Sequence, residues 1–141
     1  MTLVDVNVWV PALWGQHVKH REATAWLDSQ EDQELAICRV TELGVLRNLT
    51  NPAVTGRDAL TRREAWDVLL ELQQDPRVRF LQEPRDLALL WMAFSKRDDR
   101  SHKLWTDDYL AAFAQAAHAD LVTFDRSMRG RYPSVKVVTL T

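Results

Sequence analysis

The stretch Leu3-Val4-Asp5-Val6-Asn7-Val8-Trp9-Val10 constrains this chain more than any other. It is an apolar run near the N-terminus, interrupted by an acid at residue 5 and an amide at residue 7. Such a run reads as the first strand of a parallel sheet buried on both faces. Asp5 then falls near the strand's carboxyl end, the rim where open α/β sheets bind ligands. A carboxylate at the edge of a core is costly unless a hydrogen bond, a cation or a metal compensates it. Other acids with the same address would therefore be informative.

Taken in order, the chain alternates short apolar runs with amphipathic segments. After Pro11–Gly15, a short helix and a break, residues 17–29 have helical spacing. His17 and His20 lie three apart on one face of it, a spacing that can hold a metal, but no third ligand of that kind is near. Histidines facing solvent or substrate are the simpler reading. Residues 35–38 read as a strand. Thr41 is a candidate N-cap, which places Glu42 in the first turn of a helix that ends at Asn51-Pro52. Thr61 and Glu64 form a capping box that opens a helix to about Gln74. A strand is expected at 78–81 and a helix between Pro84 and Arg97. Residues 96–103 form a charged, solvated loop. Leu104-Trp105 reads as a two-residue strand, followed by a helix with Thr106 as cap and Asp107 and Asp108 in its first turn. Residues 120–124 are a buried strand with Asp125 directly after it, and 136–140 an edge strand. With right-handed crossovers, this order predicts an α/β fold: a three-layer α/β/α sandwich with a mainly parallel central sheet, in a single domain over 1–141.

Bulk properties exclude several classes. The net charge is -2 and the pI about 6.1, which argues against coating nucleic acid through a general basic surface. An enzyme that grips a few phosphates locally remains compatible. Cys38 is the one cysteine, so there is no intrachain disulfide and no zinc–thiolate cluster. No apolar run approaches the roughly 18 residues of a membrane span, and Asp5 interrupts any secretory signal. A cytoplasmic protein without membrane contact is expected. Most of the six Trp residues are assigned to core packing, and Trp9 or Trp14, if exposed, would supply a homodimer face.

Four acids share the address of Asp5: Asp5 itself, Glu42, Asp107 and Asp125. Each follows a strand or opens the helix after one, so a parallel sheet sets all four along one edge. Two carboxylates about 4 Å apart repel by roughly 4 kcal/mol at an effective dielectric near 20. Four together take up protons or push the fold apart unless cations sit among them. With only oxygen donors present, the expected cation is hard: Mg²⁺, with Mn²⁺ able to substitute. Helix N-termini at Glu42 and Asp107 favour the ionised carboxylates. An open acidic site of this kind suits phosphodiester hydrolysis.

These residues fall in four motifs: Leu-Val-Asp-Val-Asn-Val-Trp-Val at 3–10, Thr-Glu-Leu-Gly-Val-Leu-Arg at 41–47, Thr-Asp-Asp-Tyr-Leu-Ala-Ala at 106–112 and Leu-Val-Thr-Phe-Asp-Arg at 121–126. In this order and spacing they resemble the motifs of PIN-domain ribonucleases, specifically VapC-type toxins of toxin–antitoxin pairs, over nearly the whole chain. The resemblance implies a Mg²⁺-dependent endoribonuclease whose metal-binding and catalytic positions fall on Asp5, Glu42, Asp107 and Asp125. It also implies a VapB-type antitoxin whose tail covers the site, RNA as substrate, with transfer or ribosomal RNA among the candidates, and a homodimer or larger toxin–antitoxin complex. Asp108 stands where such toxins often have Ala, and Ser127 where many have a further acid. Asn7 and Thr123 lie beside the acids and either orient them or serve as an ordinary turn and strand residue. Arg47 either holds an RNA phosphate or neutralises the acids. Arg126, Arg129 and Lys103 are candidates for a local phosphate track. Two other functions fit the same residues: a housekeeping PIN nuclease of RNA processing, and a non-catalytic binding module with a structural ion.

Overall fold

The computed structural model describes residues 1–141 throughout. Five short strands, β1 (Thr2–Val4), β2 (Leu35–Ile37), β3 (Val78–Phe80), β4 (Asp120–Thr123) and β5 (Val137–Thr139), form one sheet in the order β3-β2-β1-β4-β5. Every neighbouring pair is parallel. Alternation along each strand divides the core in two. Leu3, Ala36, Leu121 and Val137 face one layer of helices. Val4, Leu35, Ile37, Val78 and Val122 face the other. The first layer holds α6 (Leu87–Ser95), α7 (Trp105–Ala116) and the short α8 (Met128–Arg131); the second holds α1 (Val6–Leu13), α2 (His20–Asp28), α3 (Arg39–Leu49) and α5 (Arg62–Gln73). The three-layer α/β/α arrangement expected from the sequence is observed. A short α4 (Pro52–Thr55) and a 3-10 turn (Gly56–Asp58) link α3 to α5. No helix is long and apolar enough to cross a membrane.

The opening run is not one strand. Strand β1 stops at Val4, and Val6–Leu13 is helical. Asp5 is the extended N-cap (φ -68°, ψ 153°), and its carbonyl accepts from the amides of Val8 (3.0 Å) and Trp9 (3.1 Å). A continuous apolar run carries no periodicity that separates strand from buried helix. Packing decided the matter: Val8, Trp9 and Val10 are buried with Ala23, Leu27 and Val45. Trp9 is 0% exposed and cannot supply a dimer face.

Two other expectations are corrected. Leu104-Trp105 is not a strand, since Leu104 is the N-cap of α7 and Trp105 its first residue. Thr106 is therefore inside the helix rather than its cap. Chain leaves α6 and enters α7 through the loop 96–103, and the indole of Trp91 donates to the carbonyl of Trp105 (3.2 Å). Likewise Cys38, not Thr41, caps α3. Thr41 sits in the first turn, where its hydroxyl accepts from the Cys38 amide (2.9 Å) and donates to the Cys38 carbonyl (2.8 Å). The Thr61–Glu64 box is present as expected, with Glu64 N–H on Thr61 Oγ1 (3.1 Å) and Thr61 N–H on Glu64 Oε1 (2.9 Å).

Candidate active site

Parallel pairing brings the carboxyl ends of β1, β2 and β4 to one edge. Asp5 leaves β1 there, Glu42 lies one turn into the helix after β2, and Asp125 lies two residues beyond β4. Asp107 arrives from the first turn of α7, which packs across the same edge.

Three of the four acids interact. Asp5 is buried, and Thr123 Oγ1 donates to its Oδ2 at 2.8 Å. Burial pushes the Asp5 carboxyl above its ordinary range; the Thr123 hydroxyl and the amides at the start of α1 pull it back, and the Asp125 charge raises it again. Asp107 is pushed up to about 6, first by burial, then by Asp5, with Arg131 opposing and Asp125 and Asp108 adding. Asp125 is held below its ordinary range, chiefly by the Ser127 hydroxyl (2.6 Å), with the Ser127 amide (2.9 Å) and Arg131 assisting.

Asn7 and Thr123 do more than close a turn. Asn7 Nδ2 lies 3.0 Å from Thr123 Oγ1, and Asn7 Oδ1 accepts from the Phe124 amide at 3.0 Å. The Asp125 amide donates to Thr123 Oγ1 at 3.0 Å. Asn7 and Thr123 thus link Asp5 on one element to Asp125 on another.

Glu42 is apart from this group. It is buried, with Oε1 bound by Arg39 Nη1 (2.6 Å) and Oε2 by Gln73 Nε2 (2.8 Å). No three acids stand around a common point as metal ligands would. The four-fold convergence drawn from strand order is therefore incomplete, because partners from α3 and α5 occupy both Glu42 oxygens.

A cation does sit among the other acids, and it belongs to the chain. Arg131 Nη2 lies 2.9 Å from Asp107 Oδ2 and 3.1 Å from Asp125 Oδ2. Its Nη1 donates to Ser127 Oγ at 2.7 Å. Sequence reasoning saw Arg131 only as part of a basic stretch. Its signal was positional: it stands four residues after Ser127 and six after Asp125, on the helical turn that folds back over the fourth acid. The guanidinium marks where the carboxylates stabilise positive charge. The carboxylates offer oxygen donors alone, the donor type that suits a hard divalent cation.

Asp108 turns the other way. It is buried and accepts from the Tyr132 hydroxyl, which gives it a packing role in α7. Asp5 and Asp107 line a cleft of about 680 Å³, which Arg47, Lys19 and His17 also border. Arg47 is exposed and pairs with no acid, so it stands free at the cleft rather than neutralising the cluster. Arg126 is exposed and borders neither this cleft nor the neighbouring cavity. Arg129 is tied to the Val137 carbonyl (3.3 Å). His17 and His20 do not form a metal pair: His17 Nδ1 accepts from the Lys19 amide (2.9 Å), and His20 Nδ1 lies 2.8 Å from the Pro11 carbonyl.

A PIN-domain family model matches residues 2–131. The chain is 39% identical over 130 residues to ribonuclease VapC41 of Mycobacterium tuberculosis, covering 89% of each. It is 32% identical over 130 residues to ribonuclease VapC38 of the same organism, covering 89% of this chain and 85% of that one. Among solved structures, FitAcB from Neisseria gonorrhoeae superposes with a TM-score of 0.67 at 20% identity, covering 99% of this chain and 97% of the other. VapC20 of M. tuberculosis, described as a sarcin-ricin loop cleaving toxin, does so with a TM-score of 0.68 at 16% identity, covering 92% and 94%.

Proposed function

We propose that this chain, which belongs to the PIN-domain family, is a metal-dependent endoribonuclease and the toxin of a VapBC-type pair. Its 141 residues act as one PIN domain in the cytoplasm. The observation that carries this reading is the Asp5–Asp107–Asp125 group at the carboxyl edge of the sheet, with Arg131 bridging Asp107 and Asp125 and with Asp5 and Asp107 lining a cleft. The ribonuclease names of the relatives support it. The toxin–antitoxin titles of several structural neighbours support an antitoxin partner and a larger complex.

In this reading Asp5, Asp107 and Asp125 would hold Mg²⁺, or Mn²⁺ in its place. Glu42, held by Arg39 and Gln73 near the same edge, would be the fourth carboxylate. When bound, the cation supplies a water of lowered pKa and a counter-charge for the phosphate. The chain's own residues do the rest. Thr123 fixes the Asp5 carboxylate through its hydroxyl, and Asn7 fixes Thr123. Ser127 holds Asp125 through Oδ1, and Arg131 holds it through Oδ2. Arg47 at the cleft wall suits a phosphate of the RNA backbone, and Arg126 would meet the strand farther out.

The test is cleavage of purified RNA by wild type with Mg²⁺, by wild type with EDTA, and by Asp107→Asn with Mg²⁺. Discrete fragments in the first sample alone are expected, with the variant reduced at least about 100-fold. Cleavage at the wild-type rate by a folded Asp107→Asn protein would remove Asp107 from the site. Growth arrest on expression, relieved by Asp107→Asn, separates a toxin from a housekeeping nuclease.

A further inference from the structure

A second cavity, of about 570 Å³, adjoins the acid site across the first turn of α7. The wall between them is Arg131, which lines this cavity while its guanidinium reaches Asp107 in the cleft. The other side is the 96–103 loop, which carries four Lys or Arg against two Asp in a chain of net charge -2. Arg97, Arg100 and His102 line the cavity from this loop. Arg97 Nε is spent on the Phe94 carbonyl (2.9 Å), which leaves the outer end of its guanidinium open. The side chains of Arg100 and His102 make no hydrogen bond or ion pair within the chain, and both are exposed. Of the two acids on the lining, Asp108 is buried and bound by Tyr132, and Asp99 accepts from the Ser101 amide (3.0 Å).

One aromatic ring lies open at the same cavity. Trp105, the first residue of α7, is 55% exposed and lines it. Its neighbour Trp91 is engaged edge-on with Tyr109, whereas the Trp105 indole packs against no other ring. Free guanidinium groups beside an exposed aromatic plane are the combination that binds single-stranded nucleic acid: charge for the backbone, stacking for the bases. An apolar peptide would find little here, since only three of the twelve lining residues are hydrophobic.

We propose that this cavity is a subsite for single-stranded RNA next to the scissile phosphate, with Trp105 stacking on a base and Arg97 and Arg100 holding flanking phosphates. The position beside the scissile bond rests on the nuclease reading of the acid site. The cavity is thus where the enzyme distinguishes a looped-out or unpaired strand from a duplex, whose bases offer no free face.

The experiment is a fluorescence anisotropy titration with a labelled oligouridine of about ten nucleotides in EDTA, together with steady-state cleavage of the same strand in Mg²⁺ and in Mn²⁺. Trp105→Ala should weaken binding about tenfold and raise KM similarly with kcat nearly unchanged, and Trp105→Phe should restore most of both. Binding of an abasic ribose-phosphate chain of equal length should not respond to Trp105. The Arg97→Ala/Arg100→Ala double variant should lower the slope of log K against log salt by about 1.4, two phosphate contacts on a single strand. All these side chains are exposed, so the melting temperature serves as the folding control. Unchanged affinity in both the Trp105 and the double-arginine variants would overturn the proposal. So would polyglutamate of equal length that binds as tightly and with the same Trp105 dependence, because the cavity would then be a dock for an acidic protein segment. Trp105-dependent binding by a wild type that cleaves no RNA would support the RNA cavity and overturn the nuclease reading instead.

Discussion

Asp107 is the acid on which the local electrostatics turn. Its carboxyl is pushed up to about 6 from an ordinary value of 3.8. Between these values the folded state holds more protons than the unfolded one, so this group's contribution to stability is lost as pH rises through that window. Asp5, also raised, acts in the same direction, while Asp125, held low, acts in the opposite one. In EDTA, Asp107→Asn should therefore approach wild type as the pH falls below about 4 and melt above it at pH 8, by on the order of 1–2 kcal/mol. Melting curves across this range check the sign, and a variant that is less stable at pH 8 would assign Asp107 a structural contact instead. Arg131 gives the complementary prediction. Arg131→Gln should lower the metal-free melting temperature by the equivalent of about 1 kcal/mol, the scale of half-exposed ion pairs. It should also shift a calorimetric Mn²⁺ titration to several-fold tighter binding, since no internal cation has to leave. A weaker Mn²⁺ affinity in this variant would show that Arg131 organises the acids rather than competing for them.

At the scale of elements, the site depends on how closely α1 and α3 approach. A Cβ on Gly44 of α3 would stand 2.5 Å from Val6 Cγ2 on α1, and Val6 directly follows Asp5. Gly44→Ala should separate the two helices, cost about 1–3 kcal/mol in urea unfolding and misplace Asp5. The Val6→Ala/Gly44→Ala double variant should recover part of that loss, a coupling that a double-mutant cycle reads directly. Additive effects would mean that the helices do not meet through this pair. The same approach buries Trp9, whose indole N–H has no partner, so this side chain is held by packing alone.

At the scale of the molecule, the two helical layers share one sheet, and the acid site lies where both layers reach its carboxyl edge. Cation binding there should stabilise the whole chain by mass action, about 2.7 kcal/mol at a hundred times the dissociation constant. A scan of melting temperature against Mg²⁺ should rise for wild type and stay flat for Asp5→Asn and Asp107→Asn. A rise in those variants equal to wild type would move the cation elsewhere. Such a gain belongs to the fold as a unit, because Asp5 and Thr123 are separated by 118 residues yet share one hydrogen bond.

The sequence by itself determined the alternation of buried strands and amphipathic helices, and therefore the sheet whose carboxyl edge collects Asp5, Asp107 and Asp125. Side-chain type and spacing act locally, and in parallel sheets local order dictates which ends lie together. Only the tertiary structure decided that Val6–Leu13 is a helix, since an unbroken apolar run is equally at home in a strand or a buried helix. It alone decided that Glu42 is held by Arg39 and Gln73, that Arg131 stands among the acids, and that Arg97, Arg100 and Trp105 open on one cavity. Those outcomes depend on which distant side chains arrive at the same place, and a partner 31 residues away, as Gln73 is from Glu42, leaves no trace in the spacing around either residue.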